Sequence, residues 1–404
     1  MNKSYDITKY GVKADGKIYT ELFQALIDKV HMSGGGVIFV PAGTYITGAL
    51  FFKENVNLYI EKGGEIMGSD DISDYPVTET RIEGETCLYY SALINADNMK
   101  NFSISGEGTI NGNGERSWKA FWNRRKWNPM CLNKDEQRAR LIYVSNCSDV
   151  TVTGVTLKDS QFWTCHLYKC DHVKIFDCKF MSPDFPVKAP STDAIDIDVC
   201  HDVHIKDCYM SVNDDAVALK GGKGYDADKD ARNGKNYNIL IEDSVFEKCH
   251  SVLTCGSESI EDEDITVRNI EARECRNLLW FKMRPDTPQS YHNILFCDIK
   301  AHVHSFLNIN PWTQFFNLPP GAEPKKSTVR DIIFRNAEAT ADVFLDIKED
   351  ELQYDINGIV LEDLCVKAGK YGASDKKYDF VKEKNVCVTV TGVTNSVTEG
   401  KSAD

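Results

Sequence analysis

The stretch Asp202-Val203-His204-Ile205 shows the pattern that decides the fold, a polar residue followed by apolar residues at every second position. From Asp149 onward, the first apolar residues of consecutive copies lie 23 to 38 residues apart. Copies begin at residues 55, 101, 149, 172, 202, 238, 264, 293, 331 and 358. Short strands that recur without amphipathic helices between them predict a solenoid of strands.

We therefore predict an all-β fold, a right-handed parallel β-helix in which each rung buries its apolar side against the neighbouring rungs. A β-sandwich or a propeller is the alternative, but both need tight antiparallel hairpins, and Asn-Gly turns are scarce between the copies. One helix is predicted near Thr20 to Met32, where it would cap the N-terminal rung. The apolar residues on one face of this helix are Leu22, Phe23, Leu26, Ile27 and Val30.

A repeat that runs through the chain favours a single domain over residues 1–404, although the length alone would suggest two or three. The segment of about 115–140, with Trp118, Phe121 and Trp127, interrupts the rungs and is predicted to be an insertion loop. Residues from about 368 to 404 are polar, and we expect a C-terminal cover or tail there.

Composition excludes several classes of partner. The net charge of −14 disfavours nucleic acid, because binding to phosphates needs a basic face. No run of about 18 apolar residues is present, so a membrane span is not expected. The N-terminus carries no apolar run, and fourteen cysteines without a CxxC pair are predicted to be thiols in the core. These features favour a cytoplasmic protein, or a secreted one if a leader has been removed; the oligomeric state stays open.

Neither a cofactor nor a metal is expected. His201 and His204 stand beside Cys200, but no further ligand motif completes a zinc site.

Register brings three acidic residues to one place. Asp214 lies 11 residues after Val203, and His250 lies 11 after Ile239, so these two side chains are predicted to stack on successive rungs. The same register places Asp193 on Asp215. Since side chains alternate along a strand, the outward strip beside them is predicted to carry four further residues. These are Asp196, Lys220, Trp280 and Lys282.

Carboxyl groups that lie so close together cannot all be ionised, so one of them is expected to keep its proton near neutral pH. An acid beside a base is the combination that glycoside hydrolysis requires. The alternative is an aspartate ladder that is simply solvated or binds Ca²⁺.

Four motifs along this strip carry a family resemblance. They are Ser191-Thr192-Asp193, Asp214-Asp215, Cys249-His250-Ser251 and Trp280-Phe281-Lys282. They resemble the Asn-Thr-Asp, Asp-Asp, Gly-His-Gly and Arg-Ile-Lys motifs of glycoside hydrolase family 28, the polygalacturonase-like pectin hydrolases. The resemblance covers nearly the whole chain, and residues 10–16 and 34–45 look like the first rungs of that family.

The resemblance implies an enzyme that hydrolyses galacturonosyl linkages of pectic oligo- or polysaccharides with inversion and without a cofactor. It implies that Asp214 is the general acid and that Asp193 and Asp215 activate the water. His250 would tune the acid, and Lys282 would bind a substrate carboxylate.

Trp280 departs from the family motif, because it replaces an arginine clamp with an aromatic face. This change raises rhamnogalacturonan as a possible substrate besides homogalacturonan. Arg284, which lies on the same predicted outward face, is expected to compensate, and Lys220 and Asp196 complete the predicted substrate contacts.

The basic aromatic segment 118–127 is expected to close one end of the cleft, which would favour exo attack on oligosaccharides. Two rival functions stay open. A β-helix lyase or epimerase on uronate glycans would need a Lys or Arg base, and a lyase would give an unsaturated product that absorbs ultraviolet light. A non-catalytic glycan-binding β-helix would bind oligosaccharides and leave them intact.

Overall fold

Each copy of the repeated pattern forms strands, which pair in parallel with the strands of the neighbouring rungs. The computed structural model describes residues 3–314, 316–350, 352–372 and 377–392. These residues belong to two compact units, Met1–Asp214 and Asp215–Asp404. The single domain over 1–404 stays a prediction.

The first unit contains twenty strands, of which all but two run in parallel columns. In chain order they are β1 (Ser4–Asp6), β2 (Gly36–Val40), β3 (Gly43–Thr47), β4 (Leu50–Phe51), β5 (Val56–Ile60), β6 (Gly64–Gly68), β7 (Val77–Ile82), β8 (Glu85–Tyr90), β9 (Ile94–Asp97), β10 (Ser103–Gly106), β11 (Thr109–Asn111), β12 (Ile142–Ser145), β13 (Thr151–Thr153), β14 (Thr156–Lys158), β15 (Cys165–Tyr168), β16 (Asp171–Phe176), β17 (Lys179–Met181), β18 (Ile195–Asp198), β19 (His201–Lys206) and β20 (Tyr209–Ser211).

Three columns of parallel strands result from the pairing in this unit. The first column is β1, β2, β5, β10, β13, β16 and β19. The second is β3, β6, β11, β14, β17 and β20. The third is β4, β9, β12, β15 and β18. This arrangement confirms the predicted stack of parallel rungs.

The polar residue that opens each copy has a conformational role. Asp149 and Asp202 have φ angles of 57° and 54°, and Asn238, Asp264 and Asn293 in the second unit each have φ of 55°. Asn and Asp adopt this left-handed conformation more readily than other residues with a side chain. The chain can therefore bend sharply at each copy, including where this residue lies inside a strand, as Asp202 does in β19 (His201–Lys206).

Alternation within the third column separates the core from the outer face. Ile142, Cys165 and Ile195 lie in register and are fully buried in the core. Their neighbours Tyr143 and His166 point to the other side of the sheet, where the functional strip was predicted.

Helix α1 spans Thr20–Met32, which confirms the predicted helix. Phe23, Leu26, Ile27 and Val30 are buried, whereas Leu22, predicted on the same face, is 43% exposed. The side chain of Gln24 makes two hydrogen bonds to the backbone of Phe51, one of 2.8 Å and one of 2.9 Å. The helix thus satisfies backbone groups beside the first rungs.

The predicted loop at about 115–140 is wrong for its first half, which forms helix α2 (Glu115–Trp127). Trp118 and Phe121 lie three residues apart and are buried, so they give the helix an apolar face. Glu115 in the first turn, and the basic residues 124–126 in the last turn, complement the helix dipole. Short 3₁₀ helices span Ile7–Tyr10, Ile72–Asp74, Asn133–Asp135 and Ala227–Lys229.

The pair β7–β8 is an antiparallel hairpin that lies outside the three columns. Nothing in the repeat pattern predicted it. Within the described residues, no helix is long and apolar enough to cross a membrane.

The second unit is a stack of longer parallel strands. They are β21 (Val217–Lys220), β22 (Lys235–Glu242), β23 (Val245–Cys255), β24 (Glu261–Met283), β25 (Ser290–Pro311), β26 (Ser327–Ile347), β27 (Tyr354–Gly372) and β28 (Val381–Val390). Each of β24 to β27 pairs in parallel with the next strand along nearly its whole length. Val217, Leu253 and Leu279 form one inward column, as the register predicted.

The C-terminal prediction is partly wrong. Val381–Val390 is a further strand that pairs with β27, rather than a tail. The rest of the predicted cover, at 373–376 and 393–404, lies outside the described residues. All fourteen cysteines are thiols, and the ten buried ones confirm the predicted role as core residues. The prediction is wrong for Cys365 and Cys387, which are exposed, and Cys87 and Cys297 are only half-buried.

Candidate active site

Two of the predicted catalytic acids lie close together within the first unit. Asp193 stands two residues before β18 and is 4% exposed, whereas Asp214, near the end of the unit, is partly exposed. Carboxylate oxygens of Asp193 and Asp214 lie within 4.8 Å of each other. The backbone oxygen of Asp193 accepts a hydrogen bond of 2.8 Å from the amide of Thr164, which fixes the turn before β18. Two carboxyl groups at this distance repel each other when both are ionised.

Asp215 follows Asp214 in the chain and begins the second unit. Its side chain is buried, and its Oδ2 accepts a hydrogen bond of 2.8 Å from the ammonium of Lys282. Lys282 is itself only 8% exposed. The ammonium of Lys282 gives the buried carboxylate of Asp215 the partner that a buried charge needs. The structure thus places Lys282, predicted to bind substrate, against one of the predicted catalytic acids.

Two tryptophans surround this ammonium. Lys282 Nζ lies 4.4 Å from the ring centre of Trp280 and 4.9 Å from that of Trp312. The two rings meet edge to face, with centres 5.5 Å apart. Cation–π attraction to both rings holds Lys282 in place. The face of Trp280 that was predicted to stack on sugar therefore also contacts Lys282.

Trp312 was missed in the sequence. It follows β25 directly, and its amide donates a hydrogen bond of 2.7 Å to the carbonyl of Met283. A signal was available, because Asn310 is in register with Lys282 and Trp312 lies two residues later. Extending the register by one rung would have found it.

His250 lies on β23 and is partly exposed. The side chain of Asn277 donates to the backbone oxygen of His250 at 3.0 Å and to Ser251 Oγ at 3.2 Å. Ser251 and Asn277 are in register, as the alignment of rungs requires. A buried amide one rung away thus fixes the backbone that presents His250.

Lys220, predicted to contact substrate, is only 4% exposed, and its Nζ lies 3.6 Å from Glu258 Oε2. Burial would raise the pKa of Glu258, but the charges of Lys220, Lys223 and Arg284 outweigh it and lower the pKa to about 2. Glu258 is therefore an anion that fixes Lys220. The position of Lys220 is that of a supporting charge.

Arg284 was predicted to compensate for the arginine that Trp280 replaces. The position of Arg284 in the structure contradicts this prediction. The side chain is 1% exposed, and Nε and Nη2 each donate to Asp286 at 2.8 Å. Burial would raise the pKa of Asp286, but Arg284 lowers it on balance. Asp286 also accepts from the amide of Asn317 at 2.7 Å. The bidentate pair thus joins two loops, and the guanidinium is not presented at a surface.

Asp196 was predicted to contact substrate, but it is fully buried. It lies in register with His166, which is also fully buried. The rung register placed Asp196 on the outer face of the sheet correctly. The register gave no indication of the layer of protein that covers this face.

That layer is fixed to the sheet by two buried arginines. Arg81, on β7, donates to Asp198 at 3.0 Å, and both side chains are 1% exposed. Arg140 donates to the backbone oxygen of Arg81 at 3.0 Å and lies 2.7 Å from Nδ1 of His166. Burial lowers the pKa of His166 to about 4, so this imidazole is neutral at pH 7. No sequence signal connects Arg81 with Asp198, 117 residues away.

The same layer continues toward Asp193. Ile82 and Tyr89 of the hairpin pack with Phe162 and Trp163, which directly precede Thr164. Arg138 lies over Phe162, with its guanidinium 4.3 Å from the ring centre, and donates to the backbone oxygen of Pro190 at 3.1 Å. From helix α2, Trp122 donates to the backbone oxygen of Lys188 at 2.7 Å. Hairpin and helix thus enclose the turn that carries Asp193.

Two sets of side chains have the composition of a cation site among the described residues. One contains Asp193 and Asp214, and the other consists of Glu261, Glu263 and His292 in the second unit. In the second set, Glu263 already lies 2.9 Å from His292 Nε2 and pairs with Lys235.

Comparison with known proteins identifies a family that the sequence matches. The sequence profile of glycosyl hydrolases family 28 matches residues 77–348. A probable polygalacturonase from Vitis vinifera is 29% identical over 229 residues, which are 54% of this chain and 44% of that protein. An exopolygalacturonase from Zea mays is 25% identical over 227 residues, 54% of this chain and 49% of that protein. The chain thus spans about half the length of these curated relatives.

Among solved structures, the hyperthermoactive exopolygalacturonase from Thermotoga maritima superimposes with a TM-score of 0.82. The match covers 97% of this chain and 92% of that one, at 23% identity. At this identity the likeness establishes the fold, a right-handed parallel β-helix, in agreement with the sequence prediction.

Proposed function

The chain belongs to glycosyl hydrolases family 28, and on that premise we propose that it is an exo-acting, polygalacturonase-like hydrolase of pectic oligosaccharides. The observation that carries the proposal is the carboxylate pair Asp193–Asp214, whose oxygens lie within 4.8 Å at the entrance to β18. The names of the relatives support the substrate class, since they describe polygalacturonases and exopolygalacturonases.

In this proposal Asp214 is the general acid that protonates the leaving oxygen. It is the more exposed of the paired carboxyls, so a glycosidic oxygen can reach it. The nearby negative charge of Asp193 favours retention of a proton on Asp214 until it is transferred. His250 is proposed to tune the acid, as the family motif implies.

Asp193 and Asp215 are proposed to act as bases toward water. Lys282 supports this role, because its ammonium donates a hydrogen bond to the carboxylate of Asp215 and holds it in place. The spacing of Asp193 and Asp214 is shorter than the roughly 6.5–9.5 Å usual for inverting glycosidases. We propose inversion because the family motifs imply it.

Exo action is supported by the layer beside Asp193. The outer face of β18 is occupied by buried side chains, because the hairpin seals Asp198 and Asp196 is fully buried. A glycan chain has no room to continue across that face. We therefore propose that the hairpin β7–β8, rather than the segment 118–127 alone, closes the cleft on this side. Helix α2 is proposed to support it through the turn at 183–190.

The finer substrate preference is proposed to depend on the cage of Trp280, Trp312 and Lys282. Lys282 already contacts the carboxylate of Asp215 and both tryptophan rings. Within this cage, no separate cationic side chain is therefore available to bind the carboxylate of galacturonate. Aromatic faces favour the apolar face of a sugar over its carboxylate. We propose that the site accepts pectic oligosaccharides in which a neutral sugar adjoins galacturonate, as in rhamnogalacturonan, besides homogalacturonan.

The test is product analysis on homogalacturonan and rhamnogalacturonan oligosaccharides of defined length. We expect monomer or another short product released from one end, with inverted anomeric configuration observed by NMR in the first minutes. An unsaturated product that absorbs ultraviolet light would favour a lyase. Binding without cleavage of any pectic oligosaccharide would favour a glycan-binding protein.

The catalytic role of the acid pair is tested by Asp214→Asn. We expect the rate to fall by about 10²–10⁴-fold, as is usual when a general acid is lost. The matched control is Asp207→Asn, at an exposed turn position where φ is 54° and Asn is equally tolerated. Both variants should melt at the wild-type temperature. Retention of more than about a tenth of the activity by Asp214→Asn would contradict the role.

We also propose a cytoplasmic location. Ten buried thiols support it, and some are stacked in register, such as Cys249 and Cys275. During folding in an oxidising compartment, neighbouring thiols of this kind would be cross-linked. Cell fractionation tests the proposal, and recovery of the protein outside the cell would contradict it.

A further inference from the structure

Two cysteines at the C-terminal end differ from all the others. Cys365 on β27 and Cys387 on β28 are exposed, whereas the remaining twelve are buried or half-buried. The two residues are direct partners in the parallel register of these strands. Residues opposed in this way lie about 4.8 Å apart and point to the same face. A disulfide requires Cα atoms separated by about 4.4–6.8 Å, so the backbone already has the required spacing.

The second unit also contains a matched pair that is not exposed. Cys249 and Cys275 are in register on β23 and β24, but both are buried. Burial and the neighbouring Cys275 raise the pKa of the Cys249 thiol well above its usual range. Because the thiolate is the reactive form, this pair is inert although its spacing is the same. Exposure therefore distinguishes the two pairs.

A groove gives small molecules access to Cys365. Its volume is about 500 Å³, and its lining includes the cations Arg273, Lys300 and Lys367 and the anions Glu271 and Glu338, as well as Cys365. The cations outnumber the anions by one, which favours a ligand with carboxylates.

From the register, the exposure and the groove, we propose that Cys365 and Cys387 form a dithiol site for a small, carboxylate-bearing disulfide. The thiolate of Cys365 attacks one sulfur of the small disulfide, whose S–S bond breaks and whose other half leaves as a thiol after taking up a proton. The thiolate of Cys387 then attacks the sulfur of Cys365 and expels the second half in the same way. The protein loses two protons and two electrons, and the small disulfide takes up both and is reduced to two thiols.

The structural effect of this exchange is a cross-link between β27 and β28. Val381–Val390 pairs with β27, and most of its residues are exposed. Few buried side chains hold such a strand, so its backbone should open more easily than that of β24 or β25. A disulfide through Cys387 ties it covalently to the rung beneath.

The experiment begins with thiol counting on the whole folded protein. With a chromogenic thiol reagent we expect Cys365 and Cys387 to react rapidly, the half-buried Cys87 and Cys297 more slowly, and the ten buried thiols only in denaturant. Rapid reaction of neither Cys365 nor Cys387 would overturn the proposal.

The protein is then incubated with oxidised glutathione and examined by intact mass and peptide mapping. We expect the loss of two hydrogens and one linked peptide that contains Cys365 and Cys387, with Cys249 and Cys275 recovered as thiols. In Cys365→Ser and in Cys387→Ser, a mixed disulfide with glutathione should persist on the remaining cysteine. A persistent mixed disulfide in the wild-type protein would overturn the proposal, as would cross-linking of the buried pair instead.

Hydrogen exchange tests the effect on the strand. Amides of Val381–Val390 should exchange several-fold more slowly in the oxidised protein, and dithiothreitol should reverse the change. Equal exchange rates in both forms would refute the tie between β28 and β27.

Discussion

Arg81→Met is a sharp test of the layer that covers the sheet beside Asp193. Arg81 and Asp198 form a buried ion pair at 3.0 Å, each side chain 1% exposed. Methionine fills much of the space of the arginine stem but leaves the carboxylate of Asp198 without its guanidinium. Removing one partner of such a pair typically costs about 3–5 kcal/mol, because an uncompensated charge stays buried. We therefore expect the free energy of unfolding to fall by about 3–5 kcal/mol at pH 7.

The loss should depend on pH in a defined direction. Burial would raise the pKa of Asp198, but Arg81 and His166 lower it on balance. A carboxyl group with a lowered pKa in the folded state stabilises the protein above the pKa of the unfolded chain, about 3.9. This contribution is lost as the pH falls through the folded-state pKa. The wild type should thus keep this contribution in full at pH 7 and lose it below about pH 4. The gap to the variant should begin to narrow at a higher pH, because a buried carboxylate without its partner takes up a proton more readily.

Denaturant unfolding followed by circular dichroism measures the gap, and hydrogen exchange over Val77–Ile82 measures the hairpin itself. The double variant Arg81→Met/Asp198→Asn is the control, because it removes the stranded charge and should recover most of the lost stability. Faster exchange in the hairpin should be accompanied by longer products from oligogalacturonates. A loss below about 1 kcal/mol would refute the argument from the buried pair. Faster exchange with unchanged products would refute the role of the hairpin as a wall.

Three further predictions concern the residues around the site. Lys282→Met should reduce kcat by at least tenfold and destabilise the protein, because it leaves the buried carboxylate of Asp215 without its partner. Lys282→Arg should retain more stability, because it keeps a positive charge. If the two variants behave equally in unfolding and kinetics, the ion-pair role is contradicted. Trp280→Arg should shift the ratio of kcat/KM values toward homogalacturonan oligomers, and an unchanged substrate profile would sink that idea. Because burial lowers the pKa of His166 from 6.5 to about 4, folding should lose about 3 kcal/mol as the pH falls from 6.5 to 4. In His166→Gln this part of the acid sensitivity should disappear from unfolding curves measured across that range, and an unchanged slope would contradict it.

The register could be predicted within each unit because it follows from local rules. Ser251 pairs with Asn277, and Val217, Leu253 and Leu279 form one column, as counting from the turn residues required. The conformation of Asp202 or Asn238 is decided locally, since each occupies the left-handed region that Asn and Asp tolerate. The turn residue fixes the conformation anew in every rung. An error in the predicted register of one rung therefore does not carry over to the next.

The wrong predictions have a different cause. Asp196 lies on the outer face of its strand but is buried under a layer that no repeat predicts, and Arg284 is held by Asp286. The basic residues of helix α2 mask the apolar spacing of Trp118 and Phe121 in the sequence, which therefore predicts a loop there. In each case a segment outside the repeat decided the outcome.

The sequence by itself thus determined the solenoid, the order of its strands and the face on which the acids lie. These depend on periodicity and turn residues, which act over a few positions. Only the tertiary structure decided which outward residues stay accessible, because this depends on contacts between distant segments. Arg81 reaches Asp198 across 117 positions, and Lys282 reaches Asp215 across 67. Partners this far apart are chosen by packing and by the cost of burying a charge, which no local pattern records.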